Sequence, residues 1–224
     1  MSVYILFILP PILLATIAQG LLKTRYSKAC KEPCSVTGAA AARAILDSAG
    51  LQSVKIERIP GQLTDHYDPR SKVLRLSENS YNGRNLAAVG VAAHEAGHAI
   101  QDGQRYKLMV IRQMAVPLAS FGSNTALILI LVGLAINIFE LAMLGVFGFG
   151  AVALFQIINL PVEYNASSRA KKQLAQLGFI TPDQQPIVRG MLSAAALTYV
   201  AGTLSAISQF LYYFLVISGR MDRR

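Results

Sequence analysis

Four long apolar runs, residues 3–22, 116–139, 141–162 and 197–217, limit what this 224-residue chain can become. At about 1.5 Å per helical residue, a run of roughly 20 residues crosses a hydrocarbon layer of about 30 Å. Just over half of the residues (53%) are apolar and the mean hydropathy is positive (+0.42), which soluble domains rarely show. Pro10 and Pro11 should kink the first run. No Lys or Arg precedes that run and no small-x-small cleavage pattern ends it, so it reads as a retained anchor rather than a signal peptide.

The net charge of +9 is placed beside these runs. Lys23, Arg25, Lys28 and Lys31 follow the first, and Arg169, Lys171 and Lys172 follow the third. Flanking charge of this kind marks a cytoplasmic membrane face. It puts the N-terminus outside and residue 23 onward in the cytoplasm. The basic residues are not interleaved with aromatics along one stripe, so nucleic acid is not expected as a partner. Between the second and third runs stands only Glu140, so the pair should form a transmembrane hairpin with a short outer turn. The last run is followed by Arg220, Arg223 and Arg224, on the wrong side for the rule if it spans. It spans with that conflict, folds back, or inverts the whole orientation; we take it to span.

The polar section carries the other signals. Ser35-Val36-Thr37-Gly38 followed by an alanine-rich stretch predicts a capped helix ending near Gly50. Residues 53–59 and 72–77 alternate polar and apolar, which predicts two strands. Asp65-His66-Tyr67-Asp68-Pro69 is expected as the turn between them, and the second strand as an edge able to hold an extended peptide. The expected organisation is an anchor (1–22), a polar region (23–112), the hairpin (113–162), a membrane-proximal segment (163–189), and a last span with a basic tail (190–224). The predicted fold class is a mainly α integral membrane protein, about four transmembrane helices carrying a small α+β unit at the membrane surface.

The chemistry concentrates in His94-Glu95-Ala96-Gly97-His98. On a helix, residues four apart share a face, so His94 and His98 can bind one Zn²⁺ at about 2.0–2.1 Å per bond. Glu95 lies to the side, where it can serve a water as general base. The bland alternative is a polar patch on an amphipathic helix. It leaves unexplained why two of only three histidines fall in this frame.

A catalytic zinc usually takes a third protein ligand. The candidates are His66, Asp102 and Glu163. His94, His98 and Asp102 would spread over about 12 Å of one helix, too far for one ion, so Asp102 suits a supporting acceptor for a histidine N–H. Glu163 is the favoured ligand. A hairpin crosses the membrane twice, so Glu163 emerges on the same side as the histidine helix. A carboxylate at a bilayer boundary also needs a partner to offset its desolvation; alternatively it simply starts a helix after Pro161. His66, Tyr67, Tyr164 and Arg169 are candidate donors to an oxyanion. Their ordinary alternatives are a turn residue, two interface aromatics and a flanking charge. Cys30 and Cys34 cannot make a thiolate zinc site alone and read as reduced thiols. A cysteine ligand would instead mark an inactive membrane adaptor with a structural zinc. A transporter is poorly supported, because the runs hold few charges.

Leu63-Thr64-Asp65-His66-Tyr67-Asp68-Pro69, Arg75-Leu76-Ser77-Glu78 and the segment from Ala88 through His94-Glu95-Ala96-Gly97-His98 to Gln101 resemble the bacterial membrane-bound neutral zinc metallopeptidases of the YugP-like family. The resemblance covers nearly the whole chain. More distantly, the layout is similar to HtpX-like and CAAX-processing membrane proteases, which place a hairpin between the histidines and a Glu in an E-x-x-A-D pattern. Here that pattern falls on Glu163 to Ser167, with Ser167 in place of the Asp. The resemblance implies a zincin-like unit in a multi-pass bacterial cell-membrane protein. It implies a zinc-dependent endopeptidase, with residues 23–112 as its catalytic region, acting on protein or peptide substrates at the bilayer; the basic flanks put the active site on the cytoplasmic side. Substrate identity and oligomeric state are not readable.

Overall fold

The computed structural model describes residues 3–221; Arg223, Arg224 and the side chain of Arg220 lie outside the described residues. The elements run α1 (Val3–Lys31), α2 (Gly38–Ser48), β1 (Lys55–Ile59), β2 (His66–Asp68), β3 (Val73–Ser77), α3 (Glu78–Asn82), α4 (Leu86–Gly103), α5 (Lys107–Ala135), α6 (Phe139–Gln176) and α7 (Gln185–Met221). Helices α1, α5, α6 and α7 are long and apolar enough to cross a membrane. The chain divides into two compact units.

One unit holds the described residues of Met1–Ala18, Val110–Pro161 and Leu197–Arg224. Its helices present large apolar side chains outward: Leu118, Phe121, Leu131, Phe147 and Leu154 are each more than half exposed. Small residues let α5 and α6 approach closely. A Cβ at Gly122 would stand 2.4 Å from the Gly148 carbonyl, and one at Gly145 2.4 Å from that of Ala126. The turn between these helices is not at Glu140. It falls at Ile136-Asn137-Ile138, where Asn137 takes a positive φ of 59°. Asn tolerates that conformation better than most residues, and the apolar neighbours hid the signal. Glu140 belongs to the first turn of α6. Nor does Pro161 start a new helix, because α6 runs through it and Glu163 is an interior helical residue.

The other unit comprises Gln19–Met109 and Val162–Ala196. Its core gathers Ile45 and Leu46 of α2, Leu74 and Leu76 of β3, Val89, Ala92, Ala93 and Ala96 of α4, and Leu174 of α6. As expected, α2 is capped: the Thr37 side chain accepts from the Ala40 N–H at 3.1 Å. The sheet departs from expectation. It has three strands in the order β1-β3-β2, with β1 parallel and β2 antiparallel to β3. The stretch read as a turn therefore contains a strand, His66–Asp68. A parallel pair cannot close through a tight turn, so the chain crosses to the far side of β3 before returning. The predicted edge strand, β3, is central, with Val73, Leu74, Leu76 and Ser77 buried. The edge that touches α4 is β2.

Candidate metal centre

Helix α4 starts at a cap the sequence supplies: the Asn85 side chain accepts from the Ala88 N–H at 2.9 Å. Its small residues then bring it against α6. A Cβ added at Gly97, between the two histidines, would stand 2.7 Å from the Ala166 carbonyl and 3.2 Å from the Ala166 Cα. Only glycine allows that approach, and Glu163 lies one turn before Ala166 on α6.

Glu163 Oε2 lies 3.2 Å from His94 Nε2 and 3.5 Å from His98 Nε2. Ligand atoms of the three residues all fall within 4.8 Å of one another, so they could hold a metal ion. Two ligands held about 2.05 Å from Zn²⁺ at the tetrahedral angle lie about 3.3 Å apart, close to both measured edges. Glu163 is 3% and His98 7% exposed, so the donors sit away from bulk water.

The hydrogen bonds behind the histidines test the fit. Gln101 is fully buried; its Nε2 donates to the Val162 carbonyl (2.8 Å) and to Asn165 Oδ1 (3.0 Å). A backbone carbonyl only accepts, so the amide orientation is fixed and Gln101 Oε1 faces His98 Nδ1 at 2.9 Å. His98 must therefore carry its proton on Nδ1. In the neutral ring, Nε2 then turns a bare lone pair toward the Glu163 carboxylate. Two acceptors facing each other in a buried site need a cation between them. Burial alone lowers the His98 pKa, but the Glu163 and Glu95 carboxylates outweigh it and hold the ring above its ordinary value. A divalent metal meets the same demand, and the donor set of two imidazoles and one carboxylate suits zinc.

Further support comes from α6. His94 Nδ1 lies 3.1 Å from Ser167 Oγ. The position where the resemblance led us to expect an Asp thus holds a hydroxyl that still reaches the ring. Arg169 donates to Asn165 Oδ1 and to Gln104 Oε1, each at 2.7 Å, which links it through Asn165 and Gln101 to His98.

Glu95 is held on the other flank. Its Oε2 accepts from the Tyr67 backbone N–H of β2 at 3.0 Å. The Tyr67 phenol donates to Asp102 at 2.7 Å, and Lys72 also pairs with Asp102. Burial, then the Asp102 contact, pushes the phenol well above its ordinary pKa, so it stays a donor. Asp102 supports Tyr67 rather than a histidine. His66 is exposed and its Nδ1 is bonded to the Thr64 carbonyl at 2.8 Å. Tyr164 is 50% exposed. Among the described residues, the three-residue group includes neither cysteine; Cys34 Sγ donates to the Phe179 carbonyl.

The family model described as "Putative neutral zinc metallopeptidase" matches residues 4–218. The chain belongs to this family. It is also 44% identical over 206 residues to the "Putative membrane protease YugP" of Bacillus subtilis (strain 168), covering 91% of this chain and 92% of that protein. No solved structure matches. Within this metallopeptidase family frame, sequence reasoning assigned no role to Gln101 or Asn165. Their signal was a polar side chain one turn past His98 on the histidine face, and an amide two residues after the candidate ligand.

Proposed function

We propose that the chain is a zinc-dependent membrane metalloendopeptidase that hydrolyses peptide bonds of membrane-associated or misfolded proteins. His94, His98 and Glu163 hold the zinc, and Glu95 is the general base. The observation that carries this reading is the buried His98 Nε2 lone pair aimed at Glu163, fixed by Gln101. Family membership and the relative's name support the activity. The four apolar helices and their basic flanks support a multi-pass protein in the bilayer, with residues 1–22 as anchor, 113–162 as a transmembrane hairpin, and 190–224 as last span and tail. Residues 23–112 make the zincin-like catalytic region and 163–189 the membrane-proximal segment that brings the third ligand, both on the cytoplasmic side.

Bound zinc supplies Lewis acidity, which acidifies water and polarises the scissile carbonyl. Glu95 takes the proton of the attacking water and returns it to the leaving amine, so water's two parts end on the two new termini. The Tyr67 N–H keeps the Glu95 carboxylate beside the β2 edge, where an extended peptide can lie. Glu95→Gln should keep its zinc and lose peptide hydrolysis by at least about 10²-fold. Cleavage at the wild-type rate would refute the assigned role.

A further inference from the structure

Arg25 and Lys28 stand three residues apart on α1, both exposed, just past Leu22 where the apolar run ends. With Pro186 and Ile187 at the start of α7 they line a cavity of about 80 Å³, room for several waters or one phosphate-sized group. The Arg25 side chain lies over Gly190, where an added Cβ would be 3.6 Å from both its Cδ and its Nη1. Next along α7, Arg189 lies close enough to Lys171 of α6 for the two charges to act on each other.

Several other cations of the same unit have carboxylate partners. Arg43 pairs with Asp47, Arg58 with Glu78, Lys72 with Asp102, and Arg75 with both Glu57 and Asp68. Among the described residues, no carboxylate comes within ion-pair distance of Arg25, Lys28, Lys171 or Arg189. Like charges gathered beside an apolar helix end are stabilised by an anion from outside the chain. Arg25 and Lys28 line the cavity with Pro186 and Ile187 beside them; its surface is mostly polar, which fits the phosphodiester of a headgroup rather than the acyl chains.

We propose that this cleft binds the headgroup of an anionic phospholipid. The inference rests on the reading that α1 spans the bilayer, which brings Arg25 and Lys28 to headgroup depth.

The test uses the full chain in detergent micelles, with bound lipid counted by native mass spectrometry. Phosphatidylglycerol and phosphatidylcholine of identical acyl chains are compared, with inorganic phosphate as competitor. Phosphatidylglycerol should be favoured about tenfold or more. Arg25→Gln with Lys28→Gln should abolish the preference, and Arg25→Lys should keep it. Lys55→Gln with Arg70→Gln, which removes the same charge from exposed positions in and beside the sheet, should also keep it. Equal binding of the two lipids, or a preference that survives the Arg25/Lys28 double variant, overturns the proposal. So does millimolar phosphate displacing the lipid, which would mark a free-anion site. Flotation with phosphatidylcholine vesicles separates the premises: a chain that stays out refutes the spanning reading, while one that enters without lipid preference refutes the headgroup site alone.

Discussion

Replacing Gln101 separates the two tasks that this side chain performs. It accepts the His98 Nδ1 proton, and it donates to Val162 and Asn165. In Gln101→Leu all three contacts vanish in a fully buried position. Asn165 Oδ1 keeps its Arg169 donor, and the Val162 carbonyl remains within a helix, so the chief orphan is the His98 N–H. A buried unsatisfied donor costs about 1–3 kcal/mol. The ring can escape that cost by moving its proton to Nε2, where it points at Glu163 and can no longer bind a metal. Loss of such a supporting partner lowers metal affinity about 10–100-fold. Gln101→Glu keeps the acceptor for Nδ1 but loses both donations. It should therefore hold zinc within about threefold of wild type while melting at a lower temperature. Zinc affinity is read by competition with a chromophoric chelator, and stability by thermal melting of the detergent-solubilised chain. Wild-type zinc affinity in Gln101→Leu would refute the tautomer argument. Equal weakening in Gln101→Glu would show that packing, not the acceptor, matters.

Two further substitutions probe the contact between α4 and α6. Gly97→Ala puts a methyl group 2.7 Å from the Ala166 carbonyl, so the helices must part; a loss of about 1–3 kcal/mol is expected, with weaker zinc binding, in a melt and a zinc titration. An unchanged melt and titration would mean that this close approach does not set the site. Ser167→Asp replaces a neutral partner of His94 with a carboxylate, which makes the ring a stronger donor. Zinc should bind more tightly, by up to about tenfold, and weaker binding would count against Ser167 as the partner of His94.

Much of the arrangement was legible where periodicity or length carried it. The long apolar runs emerge as helices long and apolar enough to span, and the Thr37 cap and the alternating strands β1 and β3 form where expected. The misses share a cause. Strand β2 is three residues long, too short to show alternation, and its Asp68-Pro69 ending resembles a turn. The hairpin turn has apolar residues on both sides of Asn137, so hydropathy continues through it to the more conspicuous Glu140. At the site, the H-E-x-x-H spacing marked the two histidines because helix geometry alone puts them on one face. Gln101, Asn165 and Ser167 depend on which face of α6 meets α4. That choice is set by Gly97 and Ala166, a contact between residues far apart in the chain that no local pattern encodes.

The most direct measurement is zinc per chain by elemental mass spectrometry on purified wild type, Glu163→Gln and Glu163→Ala. A single centre built from His94, His98 and Glu163 predicts about one zinc in the wild type and a large loss in both variants, with the fold retained by circular dichroism. Full zinc in folded Glu163→Gln and Glu163→Ala, or none in the wild type, would contradict it.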